Sequence, residues 1–231
     1  MKLRTTVHRV RAGRDEYRVV SAAPGEGRAV LYGDGDGDAG GWELRLYADR
    51  AGARDLAAAW ALAARSPRSL VHLPLRAGTA PEGLTEEGAV RMDLVLLHHS
   101  LAFPASRWKE VRARLGSGGV QHTMDVPESD FPAEDEIDFG SHHFAGWRDG
   151  LHFAGAARTL FLTGSAEAFR WSGAWVRSLE TEAAAELARW PNRSHYCVTL
   201  SHGSPGRNGR PPKGVPGQLH MVYAHEWRVT D

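Results

Sequence analysis

Residues 91–101 read RMDLVLLHHSL, the most apolar strand candidate in the chain. The residues after this strand set a pattern that the rest of the chain repeats. Pro104 opens a helix that puts Trp108, Val111 and Leu115 on one face, and Gly116 stands where a C-terminal cap belongs. Gln121–Val126 then supplies another strand. The same order precedes it: WELRLYA (42–48), a helical spacing of Leu56, Ala59, Trp60 and Ala63 within Asp55–Ala64, a stop at Ser66-Pro67, and SLVHLPL (69–75). It recurs afterwards. ARTLFLTG (157–164) leads into a helix capped by Ser165, a second helix over Thr181–Trp190 ends at Pro191, and HYCVTLSH (195–202) comes next. LRTTVHRV, EYRVVSA and RAVLYG near the start, and QLHMVYAHEW near the end, add strands separated by turn residues. The expected fold is α+β: a mixed, largely antiparallel sheet packed against three to four helices, with β-α-β-like units at 42–75, 91–126 and 158–202. Residues 1–231 read as a single domain, and 76–88 (RAGTAPEGLTEEG) is the best place for a minor boundary.

Composition narrows the class. The 231 residues are 42% hydrophobic and 24% charged, which is the make-up of a globular chain rather than a disordered or fibrous one. No apolar run approaches the roughly 20 residues a membrane span needs, and the basic start MKLRTTVHRVRAGR lacks the apolar core of a secretory signal. A single Cys, Cys197, excludes an internal disulfide and a Cys-rich zinc site. A cytoplasmic protein is expected.

The formal net charge of +0 conceals a segregation. Leu115–Trp147 holds no Lys or Arg and seven acids: Asp125, Glu128, Asp130, Glu134, Asp135, Glu136 and Asp138. Leu187–His225 holds no acid and five bases, Arg189, Arg193, Arg207, Arg210 and Lys213. Segregated charge produces local fields even when the total cancels. Neutrality overall, with an acidic block, argues against a nucleic-acid partner, which selects a clearly basic face.

The chain carries 12 His in 231 residues, an enrichment that makes imidazole the first group to weigh for chemistry. His98 and His99 end the apolar strand, where α/β sheets place ligands, and adjacent strand residues face opposite ways, so one of the two can enter a pocket. His142 and His143 come after the acidic stretch, and Asp138 precedes them by a turn's length, giving the imidazole–carboxylate set of hydrolytic divalent-metal sites. Trp147 beside them suits a pocket wall. His195 and Cys197 share a strand face. If the last two strands form a hairpin, His195 or His202 can meet His220 or His225 across it. Arg207, Arg210 and Lys213 lie in the Gly/Pro loop 203–217, whose amides and cations suit an anion. Asp34, Asp36 and Asp38 imitate the start of a calcium loop, but Ala39 and Arg45 break the pattern.

These residues support two readings. In the first, the chain is a hydrolase or phosphoryl-handling enzyme acting on an anionic small molecule. His98, His99, His142, His143 and Asp138 form its site, with a divalent metal as cofactor, and Arg207, Arg210 and Lys213 bind the anion. In the second, it is a non-catalytic protein whose acidic 125–138 segment docks a protein partner.

Overall fold

The structure, a computed structural model, describes residues 1–22, 25, 27–34, 43–82, 89–116, 118–138, 149–203 and 217–227. These residues form one mixed sheet of 11 strands and four α-helices, an α+β fold. The strands are β1 (Lys2–Ala12), β2 (Asp15–Ala22), β3 (Ala29–Asp34), β4 (Glu43–Ala48), β5 (Ser69–Leu73), β6 (Ala89–His98), β7 (Val120–Asp125), β8 (His152–Gly155), β9 (Thr159–Gly164), β10 (Tyr196–Ser201) and β11 (Gln218–Tyr223). The helices are α1 (Arg50–Arg65), α2 (Trp108–Ala113), α3 (Ala166–Thr181) and α4 (Ala183–Arg189).

The sheet runs β10-β11-β4-β3-β6-β5-β2-β1-β7, with β9 on β6 and β8 on β9. Three pairings are parallel, β11 with β4, β2 with β5 and β6 with β9; the others are antiparallel. The strand–helix–strand order holds along the chain, but the strands flanking a helix are not sheet neighbours: β3 and β6 lie between β4 and β5. β6 is the hub. Its residues 89–92 pair with β3, 94–97 with β5 and 93–98 with β9, which is why this stretch is apolar over most of its length.

Two cores form on the two faces. α1 and α3 pack against each other over one face, burying Leu56, Trp60, Leu94, Leu96, Leu162, Phe169 and Val176. The other face carries a smaller core of Val19, Leu70, Val95, Leu97, Trp108, Val111 and Phe161, covered by α2 and the turns before it. α1 starts five residues earlier than the spacing of its large apolar residues indicates. Asp49 accounts for this: its Oδ1 accepts the Gly52 amide hydrogen bond at 2.7 Å and caps the helix, and the small residues Ala51, Gly52 and Ala53 fill the first turn. Gly52 is required there, because a Cβ would lie 2.2 Å from the Arg28 carbonyl oxygen.

The acidic segment is partly tied down. Phe131 is buried and lies under the Arg177 guanidinium, 4.7 Å from its ring centroid. Arg177 pairs with Glu128, and Arg65 pairs with Asp130 at 3.1 Å. Both arginines come from helices α3 and α1, not from the basic segments of the sequence.

Candidate metal centre

β10 and β11 form an antiparallel hairpin with Cys197 opposite Val222 and Thr199 opposite His220. In strand periodicity Cys197 and Thr199 share a face, and His220 reaches Cys197 on the diagonal. Leu200, Leu219 and Met221 turn the other way into the core beneath α3, so the register that buries them fixes which side chains face outward. His195 stands immediately before β10, and its ring centroid lies 5.7 Å from that of His220. One ligand atom from each of His195, Cys197 and His220 lies within 4.8 Å of the others. Tetrahedral Zn²⁺, at about 2.0–2.1 Å from nitrogen and about 2.3 Å from sulfur, places its donors about 3.3–3.6 Å apart. Side-chain rotation of roughly 1 Å closes the difference.

The surroundings orient the donors. Ser194 Oγ is 2.9 Å from His195 Nδ1, and Thr199 Oγ1 is 3.1 Å from His220 Nδ1. Each hydroxyl accepting from Nδ1–H leaves Nε2 as the lone-pair atom, the outer-shell device that sets the tautomer of metal-binding histidines. Burial pushes the exposed Cys197 thiol above its ordinary value, against the opposing pull of Arg193. A bound divalent cation would reverse that and hold the thiolate.

The residues singled out from the sequence fall elsewhere. His98 ends β6 and His99 opens the short turn that follows, so the pair does not alternate as two strand residues would, and their ring centroids lie 4.4 Å apart. His98 caps the next turn: its Nδ1 accepts from the Ser100 amide at 3.2 Å and lies 2.7 Å from Ser100 Oγ. Burial, then the charge of His99, lowers its basicity. Asp138 is exposed, beyond the short turn Glu134–Glu136. His142, His143, Trp147, Arg207, Arg210 and Lys213 lie outside the described residues. Among the described residues, distant histidines do meet, but as separate pairs. His202 faces His152 with centroids 5.5 Å apart and accepts the Phe153 amide through Nδ1 at 2.9 Å. His195 faces His220.

A second polar group lies outside the set that the sequence singles out. Asp93, in the middle of β6, and His72, in β5, are both buried. Asp93 Oδ1 accepts from the Arg76 amide at 3.1 Å, and Oδ2 lies 3.4 Å from Arg112 Nη1, 3.5 Å from Arg76 Nη2 and 3.9 Å from His72 Nε2. His72 Nδ1 is 3.1 Å from Ser21 Oγ. Burial pushes the Asp93 carboxyl up, and His72 with Arg76 more than reverses it, so it stays below the ordinary carboxylate value. The group ties β2, β5, β6 and α2 together. Its one readable signal is a lone carboxylate beside the apolar run 94–97. Comparison with family models, with curated proteins and with solved structures finds no match.

Proposed function

We propose that this protein binds a divalent metal ion, Zn²⁺ by donor softness, through His195, Cys197 and His220, and uses it for hydrolysis. The supporting observation is the convergence of three ligand atoms within 4.8 Å on one sheet face. Two imidazoles and a thiolate suit Zn²⁺ better than Mg²⁺ or Ca²⁺, which take oxygen donors. Three protein ligands leave the fourth tetrahedral position for water, the pattern of catalytic rather than structural zinc sites. An ion held by these residues would supply an activated water near neutral pH, which is the chemistry of the hydrolase reading. Arg207, Arg210 and Lys213 keep their anion-binding role in this proposal, since they belong to the segment joining β10 to β11.

The test uses full-length protein stripped of metal by chelation and titrated with Co²⁺. Wild type takes up one equivalent and develops thiolate-to-cobalt charge-transfer absorption; Cys197→Ser loses that absorption, and His220→Gln binds more weakly. Zinc-loaded wild type turns over an aryl phosphate ester, and zinc-treated Cys197→Ser does not. A wild type that takes up no ion, or a Cys197→Ser protein that keeps the absorption band, overturns the proposal. The partner reading rests on the exposed carboxylates Asp125, Asp135 and Glu136; reversing their charge without loss of any captured protein removes it.

A further inference from the structure

A cavity of about 330 Å³ opens where the parallel strands β2 and β5 end, beside the first turns of α1. It is independent of the metal centre. Its wall is mostly apolar, from Ala22, Leu56, Leu73, Pro74 and Leu75, with backbone from Gly78 at one side. The carboxyl ends of parallel strands are where open α/β sheets take ligands, and this volume lies at the small end of ligand pockets.

One charged side chain of the wall lacks a counterpart. Asp55, half-buried, makes no hydrogen bond and no ion pair among the described residues. It is packed closely: a Cβ on Gly25 would sit 2.6 Å from Asp55 Oδ2. Burial is the main influence on this carboxyl and pushes it up. The charges that reach it from outside the cavity balance in number, Arg54 and Arg4 against Asp49 and Glu180. Arg28, also at the wall, directs its Nη1 to the Trp227 carbonyl oxygen at 3.1 Å. A partly desolvated carboxylate without a partner is costly, and a cation that supplies hydrogen bonds removes that cost.

We propose that this cavity binds a small primary amine with a compact apolar body, its ammonium on the Asp55 carboxylate and its apolar part against Leu56, Leu73 and Leu75. The ammonium donates to Asp55, and the apolar part displaces water from the leucine wall. Specificity for the amine over its neutral isostere comes from Asp55, the one carboxylate among the described residues of the wall; the other charged side chain there, Arg28, is exposed and directed to the Trp227 carbonyl oxygen.

The probes are benzylamine and benzyl alcohol, which differ only in the polar group, followed by amide chemical shifts at neutral pH. Benzylamine shifts the amides of Gly25, Gly52 and Gly78 in wild type and binds at least about tenfold more tightly than the alcohol, the least expected of one charge-assisted hydrogen bond. Asp55→Asn, a near-isosteric change, binds the two probes equally. Equal binding of both probes to wild type overturns the proposal. So do shifts confined to other parts of the sheet, a result that needs no variant to fold. Undiminished amine binding by Asp55→Asn also overturns it. Cys197→Ser leaves amine binding unchanged, so the outcome here is separable from that at the metal centre.

Discussion

Replacing Asp93 by Asn tests whether a buried charge holds the sheet to α2. The side chain is 3% exposed and its cationic neighbours are Arg112 at 22% and Arg76 at 38%. At the 3.4 and 3.5 Å separations, and an effective dielectric of about 20, each guanidinium attracts the carboxylate by roughly 4–5 kcal/mol before desolvation is charged against it. Desolvating the carboxylate offsets several kcal/mol of that sum. Asn removes the attraction and the carboxylate's desolvation together, and keeps an acceptor for the Arg76 amide. Breaking a fully buried pair costs about 3–5 kcal/mol. Here both arginines retain access to water, so about 2–3 kcal/mol is expected, a fall in Tm of roughly 4–12 °C for a chain of this size. Calorimetry at pH 7 measures it. The pH dependence adds a second check. The Asp93 carboxyl is depressed in the fold, so its contribution is full above the unfolded value of 3.8 and is lost as pH falls through the folded value. The gap between wild type and Asp93→Asn is therefore constant from pH 5 upward and closes in stronger acid. A Tm within 2 °C of wild type at pH 7 would refute the reasoning.

Other outcomes rest on single contacts. Gly52→Ala puts a Cβ 2.2 Å from the Arg28 carbonyl oxygen, a backbone atom that cannot rotate away, and is expected to lose more than about 3 kcal/mol or fail to fold, measured by urea denaturation. Ser165→Ala removes the acceptor of the Ala168 amide at the start of α3 and should cost about 1 kcal/mol in the same assay; no change would deny the cap. His202 is less basic than an ordinary imidazole, through burial first and then His152. Its unfolded form therefore takes up a proton before its folded form does. Stability is full above pH 6.5 and declines as the pH drops below that, and His202→Gln should flatten the decline between pH 6.5 and 5 in urea midpoints.

Much of the architecture is legible because burial imposes periodicity. β5 and β6 stand out as apolar runs, and the α3 cap is legible in Ser165. β8 is not, because His152-Phe-Ala-Gly155 is short and carries one large apolar residue. The cluster proposed to hold a metal is half legible. A shared face for His195 and Cys197 is given by period two, and a meeting across the last hairpin is given by its turn. The choice of His220 over His225 depends on the pairing register, which is fixed by which residues α3 buries. The Asp93 group is illegible in a different way. Its partners Arg76, Arg112 and His72 come from three separate elements, and nothing local to any of them announces the others.

The pairing of β11 with β4 has a consequence for how the chain is made. β4 leaves the ribosome early, with one edge satisfied by β3, yet its other edge finds its partner only when residues 218–223 have been synthesised. β1 likewise waits for β7. A nascent chain therefore carries two open backbone rows through much of translation, and contacts of such long range close slowly. A chaperone that covers these edges during synthesis is expected to raise the folded yield, and truncation before β11 leaves β4 as a template for aggregation.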